Sequence, residues 1–408
     1  MLIGNYSSSF GMCTFSGGAS GVIECTTVAT IPNLDPSGYR EIAPETSNNW
    51  FTGKYYGNSL DLKSLSNNYI LTTSKITTYD LDGIDPLVES KKYYFDNINH
   101  MQPTRIVTLN SAGDSLMTRL KYPRDFLNNT ISGVDYLRGA NILWNPVEEV
   151  TAVKKAGVFQ LLSADKKFFN ISNGLVLNSS TYRLNTRAKL SPLSSYSEND
   201  SRFVMEIDYK NYDEMGNITL YNNVEGPKNA IVWGYNQQYP IAEIVNCSNL
   251  DDIAFANFES ENFQIYKGNW NYTGLPLFDN SSPGKDRVYP LSSGSINKIF
   301  NQPGKKYILG YWYKQGSVII VSGGIVSLEQ IKNTKNNWIY AEREITSSQS
   351  IIISGNGFID EIRLHPLGSS MSTYSYSPSI GLKRVQDNRG SSISYEYDPE
   401  QRIKYIRD

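Results

Sequence analysis

The side chains that could transfer protons or attack a substrate are few in this chain, and their spacing matches no catalytic signature. Among 408 residues there are only two histidines, His100 and His365, and the sequence places each in a polar loop. A histidine acting as a general base needs a nucleophile or a carboxylate beside it. The chain has no GxSxG, HExxH or paired Cys/His pattern. The sequence therefore predicts no catalytic residue and a protein that is not an enzyme.

Adjacent carboxylates occur at three places, Glu148-Glu149, Asp251-Asp252 and Asp360-Glu361. A glycoside hydrolase needs two carboxyl groups that face each other across a cleft, roughly 5–10 Å apart. Neighbouring residues on a strand point to opposite faces, so none of these pairs forms such a dyad unless the chain bends there. We interpret them as solvated faces or turns, and a glycoside hydrolase is the least favoured function.

Tryptophans in the second half of the chain could stack on sugar rings. Trp270, Trp312 and Trp338 are accompanied by several tyrosines, and the run Tyr307–Tyr313 is apolar on both faces. One face of such a strand must line a core, and the other is either covered or open to a glycan. Both interpretations stay open for these three tryptophans, with core packing preferred.

The three cysteines do not indicate a metal centre. Cys13 and Cys25 could close a small disulfide loop, whereas Cys247 stands far from both. Three buried thiols that act as small apolar residues are the simpler interpretation.

Composition excludes several classes of protein. Tyrosine is very frequent at 29 residues, and glycine, serine and asparagine are abundant, which is typical of all-β proteins with many polar turns. The net charge is −2, with both signs interspersed, so no basic patch for nucleic acid is visible. No apolar run reaches the roughly 18 residues that a membrane-spanning helix needs.

The end of the chain repeats itself. TYSYSPSIGLKRVQD (373–387) aligns with SYEYDPEQRIKYIRD (394–408) at an offset of 21 residues. Each copy predicts a β-hairpin, with Tyr-x-Tyr ending one strand and a Leu/Ile-x-x-Val/Ile run forming the next. Related units are predicted at 94–122 and, in the best-formed case, at 203–221, where YDEMGNIT supplies the turn. An aspartate that follows a strand accepts hydrogen bonds from the next turn, so Asp213 and Asp398 are interpreted as structural.

Two segments and one long block differ from this pattern. Residues 129–142 and 146–156 carry the plausible helical turns, with the Glu148–Lys155 charges on exposed faces. Between about 247 and 366 the strands are longer and lack Tyr-Asp units, which favours an inserted β-sandwich. We therefore divide the chain into an irregular N-terminal β region (1–90), a hairpin region (91–246), a sandwich insert (247–366) and resumed repeats (367–408).

The repeat motifs resemble the tyrosine–aspartate (YD) repeats of the Rhs family, which includes the teneurins and the cage components of insecticidal Tc toxins. YDEMGNITLY and SYEYDPEQRIKYIRD carry the likeness, and KNAIVWGYNQQYPIAEIVN resembles Rhs-repeat surface proteins of Bacteroidetes. The resemblance covers roughly residues 90–250 and 355–408 and implies that hairpins join into a sheet forming part of a hollow shell around a cargo, often a toxin. The self-cleavage motif and the cargo domain of toxin members have no counterpart here. The matching structural positions are Tyr212, Asp213, Gly216, Tyr395, Tyr397 and Asp398.

The insert resembles jelly-roll sandwiches of the carbohydrate-binding-module type, through NFESENFQIYKGNW, KKYILGYWYKQGS and GFIDEIRL. This resemblance implies a possible structural Ca²⁺ held by the oxygens of Glu259 and Asp360, and no other cofactor. It does not by itself carry glycan binding.

The sequence thus predicts a non-enzymatic scaffold segment of a secreted or cell-surface protein. Its expected partners are the rest of the same polypeptide, the secretion machinery and, in the alternative function, a polysaccharide bound by 247–366. Nucleic acid is not expected. Since Asp408 falls within a repeat and no signal peptide starts the chain, we expect a piece of a longer protein whose export signal lies elsewhere.

Overall fold

The computed structural model describes residues 22–24, 28–30, 69–78, 87–109, 113–126, 131–186, 191–197, 199–259, 268–284, 286–377 and 379–408. Strands dominate these residues and pair in large antiparallel sheets, so the all-β prediction is confirmed. No helix in these segments is long and apolar enough to cross a membrane. The chain divides into two compact units, which are described in turn.

The first unit comprises 1–128, 141–165 and 184–202 and contains an antiparallel sheet. The strands are β1 Val22–Glu24, β2 Val28–Thr30, β3 Tyr69–Leu71, β4 Thr73–Thr78, β5 Leu87–Tyr94, β6 Arg105–Leu109, β7 Ser115–Lys121, β8 Glu148–Lys155 and β9 Val158–Ser172, which leaves the unit at Lys166. The strand order in the sheet is β1-β4-β5-β6-β7-β8, and β2 pairs separately with β3. Two 3₁₀ turns, Pro123–Asp125 and Leu193–Ser195, also belong to this unit.

The helix predicted over 146–156 is wrong, because this segment forms β8. It pairs antiparallel with β7, and its buried positions alternate at Glu148, Val150 and Ala152. Valine and threonine at alternate positions favour a pleated strand, and pairing with β7 outweighs the helical charge pattern. Glu148 was expected on an exposed face, yet only 1% of it is exposed.

The second unit comprises 129–140, 166–183 and 203–408. Of the helix predicted over 129–142, a short helix α1, Val134–Gly139, is present. Two 3₁₀ turns, Leu250–Asp252 and Leu291–Ser293, also belong to this unit. Its further strands are β10 Leu175–Leu184, β11 Phe203–Tyr212, β12 Ile218–Asn223, β13 Lys228–Gly234, β14 Tyr239–Val245, β15 Ala254–Ala256, β16 Leu277–Phe278, β17 Arg287–Pro290, β18 Ile296–Ile299, β19 Lys306–Lys314, β20 Val318–Val326, β21 Gln330–Lys335, β22 Trp338–Asn356, β23 Phe358–Pro366, β24 Ser370–Ser377, β25 Gly381–Gln386, β26 Ser392–Tyr397 and β27 Ile403–Arg407.

The hairpin sheet of this unit continues across the insert. Its order is β10-β11-β12-β13-β14-β24-β25-β26-β27, so strands separated by more than 120 residues of sequence lie side by side. β14 pairs antiparallel with β24, and the facing positions run from Ala242 opposite Thr373 to Val245 opposite Ser370. Residues 203–245 and 371–408 therefore belong to one sheet.

The strands β15 to β23 form a separate sandwich-like sheet between β14 and β24. The longest strand of this sheet is the 19-residue β22. Its first half pairs with β19 and β21, and its second half pairs with β18 and β20. Ser347 and Ser348, where the two halves meet, lack the Gly or Pro that would end a strand, so the chain passes on without a turn.

A tyrosine- and isoleucine-rich core fills the sandwich. Tyr307, Leu309 and Tyr311 of β19 are fully buried against Ile345 and Ile353 of β22. Gly310 lies between these core positions, and a Cβ there would sit 2.4 Å from the Tyr340 hydroxyl. The missing side chain at this position leaves room for the Tyr340 ring.

Candidate functional site

The aspartates of the repeats close their turns with the same pair of hydrogen bonds. Oδ1 of Asp213 accepts from the backbone N–H groups two and four residues later, at 3.0 and 2.8 Å. Oδ1 of Asp398 accepts from the equivalent groups at 3.0 and 2.9 Å. Asp387, to which the sequence assigned no role, does the same at 2.8 and 2.9 Å. In each case the carboxylate replaces backbone partners that the tight turn lacks.

The residue three positions after each aspartate has a left-handed backbone. Gly216 has a φ of 84°, Gly390 has 79° and Gln401 has 63°. Glycine adopts this region without a steric penalty, whereas Gln401 does so at some cost. The common signal is an aspartate followed by a positive-φ residue, so the DNRG turn at 387–390 could have been found by the same rule.

The motif tyrosines tie each hairpin to a neighbouring strand. The Tyr212 hydroxyl donates to the backbone oxygen of Asn178, at 2.6 Å. The Tyr397 hydroxyl donates to that of Leu382, at 2.8 Å. Tyr395 faces Ile406 across the last hairpin. Burial raises the pKa of Tyr212, as expected for a phenol that donates a hydrogen bond in a half-buried site.

Three tyrosines join the sheet where the insert leaves and returns. Tyr239 stacks on Tyr376 with ring centroids 4.7 Å apart, and the Tyr235 ring meets Tyr376 edge-on at 5.8 Å. The Tyr235 hydroxyl also accepts from the backbone N–H of Tyr376, at 3.1 Å. Stacked and edge-to-face aromatic pairs are each worth about 0.5–1.5 kcal/mol beyond their buried area. These contacts reinforce the β14–β24 pairing.

A buried set of charges holds the sandwich against β24, β25 and the 387–391 turn, and we call this contact the junction. Arg363 of β23 is fully buried and donates to the backbone oxygen of Asp387 at 2.7 Å, and to Thr373 Oγ1 at 3.1 Å. It also donates to the Gln386 side-chain oxygen. One sandwich arginine therefore bonds β24, β25 and the turn after β25.

Arginine and lysine of β25 complete the junction from the other side. Arg384 forms an ion pair with Glu361, whose second oxygen lies 3.6 Å from Arg363. Lys383 pairs with Asp286, which precedes β17. A backbone contact accompanies the charges: a Cβ on Gly390 would meet the Tyr340 ring at 2.6 Å. Since removing one partner of a buried ion pair leaves the other charge uncompensated, these pairs fix one arrangement of sandwich and hairpin.

Sequence reasoning placed Asp360 and Glu361 on opposite faces, solvated or in a turn, and the structure corrects this. Both are about 2% exposed, and Glu361 has a φ of 46° at an irregularity in the β19–β23 pairing. Asp360 Oδ1 accepts from the Glu361 N–H at 2.7 Å. The bend lets both carboxyl groups face the interior. Neither Asp360 nor Glu361 is a residue type that indicates a bulge in a sequence.

Electrostatics inside the junction favour neutral acids. Burial, together with the nearby Asp286 carboxyl, raises the pKa of Glu259 to about 8. Burial and Glu259 raise the pKa of Asp360 well above its usual range. Burial lowers the pKa of the Arg384 guanidinium, although Asp360 and Glu259 oppose this. Glu259 and Asp360, which the sequence proposed as a calcium pair, thus lie in one cluster of interacting ionisable groups.

The junction gives these two carboxyl groups partners other than a metal ion. Glu259 Oε1 accepts from the Arg287 backbone N–H at 3.0 Å, and Arg384 lies close enough to affect the pKa of both acids. Within the described residues, no three His, Cys, Asp or Glu side chains converge as metal ligands. Positive charge at this place comes from Lys383 and Arg384, and calcium at Glu259 and Asp360 stays a prediction.

The structure corrects the glycan-stacking interpretation of the three tryptophans. Trp270, Trp312 and Trp338 are at most 3% exposed, so none offers a ring face to a sugar. Trp270 Nε1 donates to the Ile362 backbone oxygen at 3.1 Å, and Trp338 Nε1 donates to Ser281 Oγ at 3.2 Å. Their indoles fill the sandwich core, which was the preferred of the two interpretations.

Neither histidine is arranged for proton transfer to a substrate. His100 Nδ1 accepts from the Gln102 N–H at 3.0 Å, and its Nε2 contacts Asp125 Oδ1 at 3.2 Å, so both ring nitrogens are engaged. His365 lies on β23 and is buried, in contrast to the polar loop that the sequence predicted. Burial lowers its pKa to about 4, and Nδ1 lies 3.0 Å from Ser369 Oγ. In the sequence, His365 directly follows the alternating core residues Ile362 and Leu364 of β23, and this pattern could have indicated that His365 is buried.

The remaining sequence-selected residues are placed as follows. Glu148 is buried and Glu149 is exposed, as expected for neighbours on a strand. Asp251 is exposed, whereas Asp252 is buried and accepts from the Tyr307 hydroxyl at 2.6 Å. Cys247 is a free, buried thiol. Cys13 and Cys25 lie outside the described residues.

Comparison with known proteins gives little to add to this geometry. No protein-family model matches the chain, and no curated protein matches it. Among solved structures, it is similar to an exo-β-1,3-galactanase from Phanerochaete chrysosporium in complex with β-1,3-galactotriose. The identity is 7%, the match covers 72% of this chain and 78% of the galactanase, and the TM-score is 0.15. A likeness this slight carries no argument about fold or function.

Proposed function

We propose that this chain is a non-enzymatic structural segment of a secreted or cell-surface protein of the Rhs/YD-repeat type. Its hairpins form part of a wall that encloses or displays another part of the same polypeptide. The observation that carries the proposal is the β14–β24 pairing, by which the hairpin sheet continues past an insert of more than 100 residues. A sheet that keeps its register across such an interruption suits a continuous wall better than a set of separate modules.

The repeated turn chemistry supports the same proposal. The turns at Asp213, Asp387 and Asp398 share one hydrogen-bond geometry, so further hairpins can be joined by the same kind of turn. Each hairpin buries little by itself and depends on its neighbours, as in repeat proteins generally. A wall built in this way is extended by repetition, which is a structural role rather than a catalytic one.

The sandwich, which we propose to be of the jelly-roll type, is held by the junction in one orientation on this wall. Arg363 and Arg384 are both at least 95% buried there, and each bonds groups on the opposite side. A module on a flexible tether would not need buried charges of this kind. In the proposed role the sandwich is a fixed part of the outer structure, and the partners are the remaining polypeptide and the export machinery.

Glycan binding by 247–366 would need a surface other than the one that the sequence suggested. Exposed apolar side chains on the sandwich include Leu277 and Phe278 of β16, at 52% and 65% exposure. A single exposed aromatic ring is common on protein surfaces and does not indicate a sugar site. The structural role is therefore the one that we put forward.

Hydrogen exchange and limited proteolysis test the continuous wall. We expect the amides of β13, β14, β24 and β25 to exchange with one shared, high protection, because their ladder opens as a unit. Proteases should cut first in loops outside this ladder. If β14 and β24 exchanged independently, or if cleavage inside 203–245 were as fast as cleavage after Ser369, the wall would not be continuous.

Protection of the remaining polypeptide tests the enclosing role. In the natural full-length protein, segments beyond this one should resist a protease until the hairpin sheet is destabilised, for example by Arg363→Met. A matched exposed change, Arg402→Met, should leave that resistance intact. Equal digestion of the flanking polypeptide in wild type and in Arg363→Met would remove the enclosing role, while leaving the description of the sheet unaffected.

A further inference from the structure

A lysine and an aspartate from opposite sides of the junction are in direct contact. Lys383 of β25 and Asp286, which precedes β17, form an ion pair although they are 97 positions apart in the sequence. Their side chains are 30% and 19% exposed, so both are sheltered from most of the solvent. The contact joins the hairpin sheet to the sandwich. It also places an amine beside a carboxyl group, which are the two groups that condense to an amide.

A bulge in β25 explains why Lys383 reaches the sandwich together with Arg384. In the β24–β25 pairing, Arg384 and Leu382 face consecutive residues of β24, so Lys383 is the extra residue between them. Neighbours on a regular strand point to opposite faces, but a bulge re-aims a side chain. Both cations therefore enter the junction. Only the lysine carries an amine that can become a nucleophile, because a guanidinium stays protonated.

The aspartate is fixed by its own backbone. The Asp286 N–H donates to Ser282 Oγ at 3.0 Å, and its carbonyl oxygen accepts from the Asp279 N–H at 2.9 Å. The next residue, Arg287, begins β17, and its N–H donates to Glu259 Oε1 at 3.0 Å. When a fold orients two reacting groups in this way, the barrier to their reaction falls.

Glu259 supplies a third group that amide formation needs. Burial raises its pKa to about 8, and it lies close enough to Asp286 and Lys383 for both charges to affect that pKa. A carboxyl group with this pKa is mostly protonated at neutral pH, so it can donate a proton to a leaving oxygen. An amine, an acceptor carboxyl group and a proton carrier thus meet at one place in the junction.

A second lysine–aspartate contact in the sandwich has different surroundings. Lys305 Nζ lies 2.5 Å from Asp252 Oδ2, and its side chain is 37% exposed, close to the 30% of Lys383. The other oxygen of Asp252 accepts from the Tyr307 hydroxyl at 2.6 Å, and two donors stabilise the charged form of a carboxyl group. The neighbouring acid, Asp251, is exposed. We therefore expect Lys305 and Asp252 to stay an ion pair.

We propose that Lys383 and Asp286 become joined by an intramolecular amide bond, formed in the folded chain with Glu259 as the proton carrier. Lys383 passes one proton to the Asp286 carboxylate, and the free electron pair of Nζ then attacks Cγ. The N–C bond forms, one C–O bond breaks, and the oxygen leaves as water. Glu259 protonates the leaving oxygen and takes a second proton from Nζ, so it ends unchanged. The reaction consumes no co-reactant.

The amide bond adds a covalent connection to the junction. It closes a loop between positions 286 and 383, and such a loop restricts the unfolded chain as a disulfide does. The sandwich then stays attached to β25 even where the ion pairs of the junction are broken. This bond does not depend on whether the hairpin sheet encloses another part of the polypeptide.

Intact-mass spectrometry of the whole chain tests the proposal. After incubation at neutral pH, we expect a mass that is lower than that of the sequence by one water molecule. A proteolytic digest should contain one branched peptide that joins Lys383 to Asp286, and trypsin should not cut after Lys383, because its amine is acylated. The full sequence mass, or a loss of water without this branched peptide, would overturn the proposal.

Variants separate the cross-link from a merely ionic contact. Lys383→Arg keeps the charge that faces Asp286 but lacks the amine, so it should fold and keep the full mass. Glu259→Gln keeps both reacting groups and an oxygen for the Arg287 N–H, but bond formation should slow by at least about 100-fold. Lys305→Arg, the matched control, should lose water as wild type does. A loss of water in Lys383→Arg would overturn the assignment, and an unchanged rate in Glu259→Gln would overturn the role of Glu259.

Discussion

The two copies of the terminal repeat have the same hairpin but very different surroundings. In the first copy, β24–β25, Arg384 is 5% exposed because it is held in the junction. In the second copy, β26–β27, the equivalent position 21 residues later is Tyr405, which is 48% exposed. The aspartate turn between β25 and β26, at Asp387, and the one between β26 and β27, at Asp398, have the same hydrogen bonds to within 0.2 Å. Turn chemistry is therefore local to the repeat, whereas burial is conferred by the sandwich.

The largest effect should follow from removing a junction arginine. Arg363→Met leaves the Asp387 carbonyl, Thr373 and Gln386 without their donor, and leaves Glu361 beside one cation fewer. We expect a loss of about 3–5 kcal/mol in the free energy of unfolding. Urea denaturation measures it.

The matched control is Arg402→Met in the last loop, where the side chain is 73% exposed and pairs with Asp398. An exposed pair contributes about 0–1 kcal/mol, so the variant should unfold close to wild type. Similar losses in both variants would mean that the junction is no more important than a surface pair.

The close approach of the 387–391 turn to the sandwich gives the next effect. Gly390→Ala combines a left-handed backbone with a contact of 2.6 Å to the Tyr340 ring, and should cost about 2–4 kcal/mol. Gly174→Ala has a similar φ of 77° with nothing within 4 Å, and should cost only about 1 kcal/mol. Thermal unfolding of both variants compares them. Equal losses of stability in the two variants would show that the 387–391 turn does not pack against the sandwich.

Acid should remove the stability that His365 contributes to β23, whereas Glu259, whose pKa is raised to about 8, contributes in the opposite direction over the same pH range. The pKa of His365 is lowered to about 4 in the folded protein, so the folded state prefers the neutral imidazole. Its contribution is complete above the unfolded pKa of about 6.5 and is lost as the pH falls through 4. Between pH 7 and pH 5 this costs about 2 kcal/mol.

Exchange of amide hydrogens along β23 at the two pH values, corrected for intrinsic rates, measures this loss. His365→Gln should remove it, because the glutamine side chain does not titrate. If β23 in that variant lost protection as much as in wild type, another group would be responsible.

The smallest effect should come from the exposed turn. Asp398→Ala removes two acceptor contacts to backbone N–H groups that water can replace, so we expect about 1 kcal/mol. Asp387→Ala should cost more, because its turn also carries the carbonyl that accepts from Arg363. Unfolding of the two variants, followed by the nuclear magnetic resonance signals of each hairpin, gives the relative size of the two stability losses. A larger loss for Asp398→Ala would show that the sandwich does not stabilise the turn at Asp387.

Local chemistry accounts for what the sequence predicted well. Alternation in FVMEIDY, followed by Gly216 and Asn217, predicts β11, its turn and β12, because turn residues and pleat both lie within a few positions. The break near 247 and the return near 371 were visible as a loss of Tyr-Asp units. The β14–β24 pairing was expected from the same repeats on either side of the insert.

Contacts between distant residues account for what was missed. β8 was taken for a helix because its charges, acidic at the start and basic at the end, were assigned to exposed helix faces, and only pairing with β7 decides otherwise. Asp360 and Glu361 were placed in solvent because nothing nearby in the sequence announces the bend at Glu361 or the arrival of Arg384.

The place where β14 ends and β24 begins has a consequence for how this architecture can change. Val245 and Ser370 face each other, so the sandwich leaves and re-enters the ladder at a single rung. Cutting it out and bridging that rung with a two-residue Asn-Gly link would restore an ordinary hairpin without shifting any other strand. Another domain could therefore replace the sandwich at the Val245–Ser370 pair while the hairpin sheet stays the same.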